Sequence, residues 1–319
     1  MHAVITGIAG FAGSHLAELL LEEGLEVTGI ARPGEDLSRL DGFAGRLRLA
    51  SADLCNADDL AAALTSLRAD WVFHLAALAS VPLSLKSPAE AVRVNAFGTA
   101  NLYYQIARCK LSKIVHVSSA DVYGHVRPDD TPVRESKRVK PSNPYAASKA
   151  AGEIIALERW RTESLPVVIL RPFNHTGPRQ GPGFAPSDFA MAVARIEAGL
   201  DPPRISVGNL RSMRDYSDVR DVARAYLAAA QKGEAGEIYN VASGRAVEVG
   251  HILEILLKMA SCEIEVVADQ AKMRPSDTPV VVGDNTKFRY RTGWQPGRTP
   301  IEESLAGLLS WWRRRIRCA

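Results

Sequence analysis

Tyr145 and Lys149 are four residues apart in the stretch YAASK. This stretch is predicted to be helical, so the spacing places the phenol and the ammonium on one face. A free phenol titrates near 10, and lowering its pKa to about 7 requires about 4 kcal/mol of preferential stabilisation of the phenolate. A neighbouring ammonium has the sign of charge that this requires. The pair is therefore a candidate acid–base site, with an ordinary pair on a helix surface as the alternative.

Ser119 ends the apolar run KIVHVSS, which is predicted to be a strand. Because α/β folds bind ligands at the carboxyl ends of their strands, this hydroxyl can hydrogen-bond the oxygen that Tyr145 protonates or deprotonates. Asp121 follows two residues later and is a candidate carboxylate base. A turn residue without a chemical role is the alternative for Asp121.

A glycine motif, TGIAGFAG, lies where the first predicted strand meets the first predicted helix. Gly7 permits a tight turn, Gly10 lets the backbone approach a pyrophosphate, and Gly13 lets the helix and strand pack closely. The free N–H groups of the helix N-terminus favour phosphate binding. The motif predicts a dinucleotide site that includes Phe11 and Ala12, and a glycine-rich turn without a ligand is the alternative.

The end of the second predicted strand bears on the choice of dinucleotide. An NAD site usually carries an acid there for the ribose hydroxyls, whereas this chain has Ala31 followed by Arg32. Arg32 could pair with a 2′-phosphate, so NADP(H) is favoured and NAD(H) stays possible. Asp53 and Leu54 follow the third strand and are predicted to edge the adenine, although Asp53 could instead cap the next helix.

Apolar runs and helical patterns alternate through the first half of the chain, which predicts βαβ units and a parallel sheet. The predicted fold class is α/β, a Rossmann-type doubly wound parallel sheet with a smaller C-terminal substrate-binding lobe. We predict an NADP(H)-binding domain at 1–171 and the second lobe at 172–319, interleaved, with some segments returning to the first domain. The predicted helices are 11–23, 56–67, 89–108, 219–231, 249–259, 300–314 and one beginning near residue 145.

Composition and charge exclude several classes of protein. The 319 residues include 39 basic and 36 acidic residues, a net charge of +3 that gives no case for nucleic-acid binding. The chain starts without a basic leader region, and no apolar run reaches the length of a membrane span, so neither secretion nor membrane insertion is predicted. The cysteines have neither disulfide-framework nor metal-ligand spacing, which predicts no metal site and a cytoplasmic protein. They are Cys55, Cys109, Cys262 and Cys318.

Together, TGIAGFAG, HLAA at 74–77, VNAFGT, VSSADVYG, YAASK and RPFNHTGP make the chain resemble the extended short-chain dehydrogenase/reductases over essentially its whole length. The resemblance implies a Rossmann domain with a C-terminal nucleotide-sugar lobe. It implies Tyr145 as the acid/base at the hexose C4, Lys149 holding the nicotinamide ribose and lowering the tyrosine pKa, and Ser119 assisting. The further cofactor-binding residues that it implies are Leu75, Ala76, Ala77, Asn95, Val117 and Pro172.

Within this family, three stretches are similar to the branch that handles GDP-6-deoxy-4-keto-mannose: FNHTGPRQGPGF, VGNLRSMRDYSDVRDVARAY and RPSDTPVVVGDNTKFRYRTGW. The greatest likeness is to reductases that make GDP-rhamnose, with GDP-mannose 4,6-dehydratases next. The resemblance implies that Asn174, Arg214 and Arg274 contact the diphosphate and Asp277 the ribose, and Arg179 and Phe184 are further substrate-binding candidates. Each arginine could instead be a surface residue or an ion-pair partner.

Three alternatives to the reductase stay open at this point. A 4,6-dehydratase needs a base for the C5 proton, and the related dehydratases carry glutamate where this chain has the shorter Asp121. A 4-epimerase that retains NAD is mildly disfavoured by Ala31. A non-catalytic cofactor sensor on the same fold is the third alternative. The resemblance also implies a homodimer formed through the helices at 89–108 and 144–163.

Overall fold

The computed structural model of the protein describes residues 1–64, 68–273 and 278–317. The strands are β1 (His2–Thr6), β2 (Glu26–Ala31), β3 (Arg48–Ser51), β4 (Trp71–His74), β5 (Lys113–Val117), β6 (Val167–Pro172), β7 (Asn174–Thr176), β8 (Arg204–Val207), β9 (Met213–Asp218), β10 (Ile238–Val241), β11 (Ala246–Glu248), β12 (Glu265–Ala268) and β13 (Val280–Val281). The helices are α1 (Phe11–Glu22), α2 (Ala57–Leu64), α3 (Val81–Lys86), α4 (Pro88–Val92), α5 (Gly98–Ile106), α6 (Pro144–Glu163), α7 (Ala185–Glu197), α8 (Val219–Lys232), α9 (Val249–Lys258), α10 (Thr286–Thr292) and α11 (Ile301–Arg317).

A parallel sheet of seven strands forms the centre of the molecule, in the order β10-β6-β5-β4-β1-β2-β3. The inner strands read as continuous apolar runs because helices cover both faces of the sheet. Strand order reverses between β1 and β4, which opens a crevice at the carboxyl edge. The predicted α/β, Rossmann-type fold class is confirmed.

Two helical layers cover this sheet. Helices α1 and α8 pack together on one face, with side chains such as Leu16, Leu20 and Tyr226 in a shared apolar core. Helices α2, α5 and α6 cover the other face, where Leu60 and Leu102 are fully buried. These layers therefore cover both faces of the sheet.

The smaller lobe is built on β9, which pairs with β7, β11 and β13, and on the parallel pair β8 and β12. Helices α7, α9 and α11 form its apolar core. Helix α8 and strand β10 return from residues beyond 172 to the large sheet, so the two parts of the chain are interleaved, and the boundary at 171 and 172 stays a prediction. Among the described residues, no helix combines the length and apolar composition needed to cross a bilayer.

The predicted helices differ from the structure at several places, and the short helices α3 and α10 were not predicted. The helix predicted at 89–108 is interrupted by a π-helical turn at Arg93–Phe97, between α4 and α5. Helix α7 was not predicted, because the glycines and prolines before it are typical of a loop. The helix predicted at 56–67 is described only as Ala57–Leu64, since 65–67 lie outside the described residues.

Candidate functional site

A cleft of about 1530 Å³ runs along the carboxyl edge of the large sheet and into the smaller lobe. This volume exceeds that of a typical single-ligand pocket, so it can hold two large ligands side by side. Most of the predicted site residues line this cleft. They are Gly7, Gly10, Phe11, Ala12, Gly13, Arg32, Asp53, Leu54, Leu75, Ala76, Ala77, Val117, Ser119, Asp121, Tyr145, Lys149, Pro172, Asn174, Phe184 and Arg214.

The turn between β1 and α1 brings backbone to one end of the cleft. Gly7 has a φ of +72°, and a Cβ there would lie 2.7 Å from the backbone of Ala76. A Cβ on Gly13 would lie 2.2 Å from the carbonyl oxygen of Gly7, so only glycine lets α1 start this close to the turn. Within the part of the chain that the structure describes, no side chain caps the first N–H groups of α1 at Gly10. This uncapped cradle fits the pyrophosphate of a dinucleotide.

Charged side chains gather where β2 and β3 end. Arg32 is exposed on the cleft wall, and its backbone N–H donates to Glu35 Oε2 at 3.0 Å. Arg93 also lines the cleft and forms an ion pair with Glu90, Nε to Oε2, at 2.7 Å. Asp53 accepts a hydrogen bond from the backbone of the residue two positions later, so it also stabilises the local turn. Arg93 is paired with Glu90, whereas the exposed Arg32 can pair with an anionic ribose phosphate at this end of the cleft.

Ser119, Tyr145 and Lys149 meet in the middle of the cleft. Ser119 caps the short helix Ala120–Tyr123, its Oγ accepting from the backbone N–H of Asp121 at 3.1 Å. A hydrogen bond from Ser119 to the phenol opposes the rise in the tyrosine pKa. Lys149 is only 4% exposed, and its Nζ donates to the carbonyl of Val117 at 2.6 Å. One face of α6 therefore presents both groups to the edge of β5.

Burial sets the protonation of these groups. It raises the pKa of Tyr145 above its ordinary value, and the charge of Asp121 raises it further. Burial lowers the pKa of Lys149 to about 8, while the carboxylate of Glu153 opposes that fall. The sequence led us to expect a lowered pKa for Tyr145, whereas the structure raises it, because desolvation of the phenolate outweighs the hydrogen bond of Ser119. The phenol is held in the form that donates a proton.

A buried ion pair lies directly behind Lys149. Glu153 is one helical turn further along α6, and it binds Arg171 of β6 in a bidentate manner at 2.8 and 2.7 Å. The guanidinium of Arg171 also lies 4.8 Å from the ring centre of Tyr123, whose hydroxyl donates to Asn240 at 2.7 Å. The pair links the helix that carries Lys149 to strands of the large sheet.

The smaller lobe contributes the other end of the cleft. Arg214 of β9 lines it, and its Nη1 donates to the carbonyls of Met213 and Thr278 at 2.9 and 2.8 Å. Asp121 is exposed to the cleft, whose walls desolvate its carboxyl and raise its pKa, while the charge of Arg214 lowers it. Asn174 and Phe184 lie on the same wall.

Two predicted residues do not reach the cleft. Asn95 is 2% exposed, and its side chain bonds the backbone of Leu78 and the hydroxyl of Ser148, so it braces the turn after β4 against α6. Arg179 points toward α1, where its guanidinium binds His15 and Glu18. Both are placed by long-range hydrogen bonds that spacing does not show. Arg274 and Asp277 lie outside the described residues.

Other residues that line the cleft were not predicted as site residues from the sequence. Thr6 at the end of β1 accepts from the backbone N–H of Ala76 at 3.3 Å and could have been found from its place at the carboxyl edge. Tyr226 of α8 lines the cleft on the side of the large sheet, and Asp188 of α7 lines it in the smaller lobe. Only the packing of α8 and α7 brings these two side chains there.

Comparison with known proteins agrees with this geometry. The family model described as GDP-mannose 4,6 dehydratase matches residues 4–306. The chain is 36% identical to GDP-6-deoxy-D-mannose reductase of Pseudomonas aeruginosa, covering 98% of this chain and 97% of that protein. The structure of RMD from Pseudomonas aeruginosa complexed with NADPH superposes with a TM-score of 0.86 at 34% identity, covering 98% of this chain and 99% of that one.

A UDP-glucose 4-epimerase of Thermus thermophilus, solved as a complex with NAD, superposes with a TM-score of 0.85 at 30% identity, covering 98% of this chain and 99% of that one. Relatives solved with either nicotinamide cofactor therefore share this fold. The chain is an enzyme of the extended short-chain dehydrogenase/reductase type and belongs to the GDP-mannose 4,6-dehydratase family.

Proposed function

We propose that the protein is an NADPH-dependent reductase that converts GDP-4-dehydro-6-deoxy-D-mannose to GDP-D-rhamnose. The observation that carries this proposal is the meeting of Ser119, Tyr145 and Lys149 in one cleft with a protonated phenol. A relative that covers nearly the whole chain at 36% identity carries the name of the corresponding reductase.

NADPH, when bound along the glycine turn, supplies the hydride for C4 of the sugar. Tyr145 donates its proton to the oxygen that becomes the C4 hydroxyl, and Ser119 hydrogen-bonds that same oxygen. Lys149 holds the nicotinamide ribose and stabilises the phenolate that remains. Arg214 and Asn174 hold the diphosphate of the substrate, and Arg32 pairs with the 2′-phosphate of the cofactor.

Residues beside Ser119 favour the reductase over a 4,6-dehydratase. Removal of the C5 proton and loss of the C6 hydroxyl require a base and an acid close to the sugar. The positions after Ser119 are Ala120, which has no acidic group, and Asp121, which is one methylene shorter than glutamate. We propose that Asp121 binds substrate and does not serve as an efficient C5 base. Ala31 in place of a ribose-binding acid similarly disfavours an epimerase that retains NAD.

The test follows the absorbance of NADPH with GDP-4-dehydro-6-deoxy-D-mannose made in place by a separate dehydratase. We expect one NADPH oxidised per sugar, with turnover lost in Tyr145→Phe while NADPH binding is kept. An enzyme that leaves NADPH untouched but turns over GDP-mannose or UDP-sugars would be a dehydratase or an epimerase. Unchanged turnover in Tyr145→Phe would overturn the assigned roles, and binding without any turnover would favour the sensor.

We also propose a homodimer. The helices at 88–106 and 144–163 expose large apolar side chains, among them Val92, Phe97, Tyr104 and Ile154. Exposed apolar patches of this kind are typical of interfaces between proteins. Light scattering should give twice the monomer mass of 34.6 kDa, and Ile154→Glu should give the monomer.

We also propose that the protein is cytoplasmic, because reduced cysteines are stable in that compartment.

A further inference from the structure

One arm of the cleft lies in the smaller lobe, between the start of α7 and strand β8. We call it the distal arm, lined by residues 183–186, 188–189 and 204–210. Its apolar walls include Phe184, Phe189 and Leu210. With the cofactor along the glycine turn and the sugar at Tyr145, the distal arm is the part of the cleft left for the base of the substrate nucleotide. Flat apolar walls suit a planar base.

Asp188 is the acidic residue that the described structure places in this arm. The other acidic residues among the described lining residues are Glu35, Asp53 and Glu90 at the opposite end and Asp121 beside Tyr145. Asp188 Oδ1 accepts from the backbone N–H of Gly183 at 2.7 Å. Within the described part of the chain, no hydrogen bond to Oδ2 is formed. A half-buried carboxylate has free acceptor capacity there and favours N–H donors.

We propose that Asp188 selects the base of the substrate by accepting hydrogen bonds from N1–H and the 2-amino group of guanine. This inference rests on the proposed function and names the side chain that makes the substrate a GDP-sugar. Guanine presents these two donors side by side on one edge, a geometry that a carboxylate can accept from. Uracil and thymine present a single N–H between two carbonyl oxygens. A carboxylate repels these two oxygens, so it disfavours both bases.

The surroundings of Asp188 fit this role. Burial raises the pKa of its carboxyl, while the bond from Gly183 and the charge of Lys272 lower it. Lys272 itself donates to the carbonyl of Ser206 at 2.8 Å, so its ammonium is anchored to β8 at the edge of the arm. Arg204 lines the same arm and is exposed. The two cations favour the charged form of the carboxylate, and that form is the one that accepts two hydrogen bonds.

The experiment is calorimetric titration of the full chain with GDP, IDP and UDP. IDP differs from GDP only in lacking the 2-amino group. Hydrogen bonds to a charged group predict that the wild type binds GDP about tenfold or more tightly than IDP, and UDP more weakly again. In Asp188→Asn, which keeps an acceptor for Gly183, GDP affinity should fall by about tenfold or more and approach that of IDP. Glu302→Gln, which removes a first-turn carboxylate of α11 outside the cleft, is the matched control and should change nothing.

The outcomes that overturn the inference are distinct from those that overturn the proposed function. Equal affinity of the wild type for GDP and IDP, with UDP weaker, removes Asp188 as the recognising group and leaves the GDP-sugar reductase standing. A GDP affinity that is unchanged in Asp188→Asn has the same meaning. A wild type that binds UDP more tightly than GDP refutes both. The comparison of GDP with IDP uses only the wild type, so it is decisive even if the variant does not fold.

Discussion

The pair of Glu153 and Arg171 should control both the stability of the fold and the charge of Lys149. The two side chains are 5% and 3% exposed, and two hydrogen bonds join them. Glu153→Gln keeps the shape but removes the charge, which leaves a buried guanidinium without its counter-ion. Breaking a buried pair in this way costs about 3–5 kcal/mol.

The size of the chain converts this cost into a melting temperature. An unfolding entropy of about 2.1 cal/mol/K per residue gives about 0.67 kcal/mol/K for a chain of 319 residues, so the Tm should fall by about 4–8 °C.

The effect of Glu153 on the pKa of Lys149 is separate from its effect on stability. The carboxylate of Glu153 raises the pKa of Lys149, which burial lowers to about 8. Without that carboxylate, Lys149 loses its proton at lower pH.

The assay is the pH dependence of kcat/KM for NADPH, measured beside thermal melting. We expect wild-type activity to fall as the pH rises through about 8, and this alkaline limb should move to lower pH in Glu153→Gln. Arg171→Gln is the matched control, because it leaves Glu153 free to stabilise the ammonium and should move the limb to higher pH. Both variants should melt earlier. If their limbs move together or not at all, the pair is merely structural and the reasoning is refuted.

Three further predictions test other parts of the structure. Gly13→Ala should cost about 1–3 kcal/mol of stability and weaken NADPH binding, because its methyl would meet the carbonyl of Gly7; a variant that melts and binds as the wild type would contradict the close packing. Arg32→Ala should raise the Kd of NADPH by about tenfold or more and leave that of NADH unchanged in fluorescence titrations, and equal losses for both cofactors would remove the 2′-phosphate contact. Burial lowers the pKa of His15 and of His74 to about 3, so the unfolded chain binds more protons between about pH 6.5 and 3. As the pH is lowered through that window, the free energy of unfolding should decrease by roughly 1.4 kcal/mol per pH unit for each histidine. A denaturation midpoint that does not change with pH there would show that the two histidines are not buried as neutral rings.

Local patterns in the sequence were enough to predict the sheet and the centre of the site. The alternation of apolar runs with helical patterns depends on neighbouring residues, and so does the four-residue spacing of Tyr145 and Lys149 on one helix face. The glycine motif was recognisable because it directly follows a strand. In each case the residues that act together are close in the chain or follow strands whose ends meet at one edge.

Only the tertiary structure decided where several polar side chains point. The sequence analysis predicted that Arg179 binds the substrate. In the structure its side chain instead binds residues of α1, which precede it by more than 160 positions. Asn95 likewise bonds a distant residue, Ser148 of α6, and does not line the cleft. Asp188 lines the cleft because of the way α7 packs. The rise in the pKa of Tyr145 likewise comes from burial. Desolvation and hydrogen bonds between distant segments depend on how the helices pack on the sheet, and spacing along the chain does not encode that packing directly.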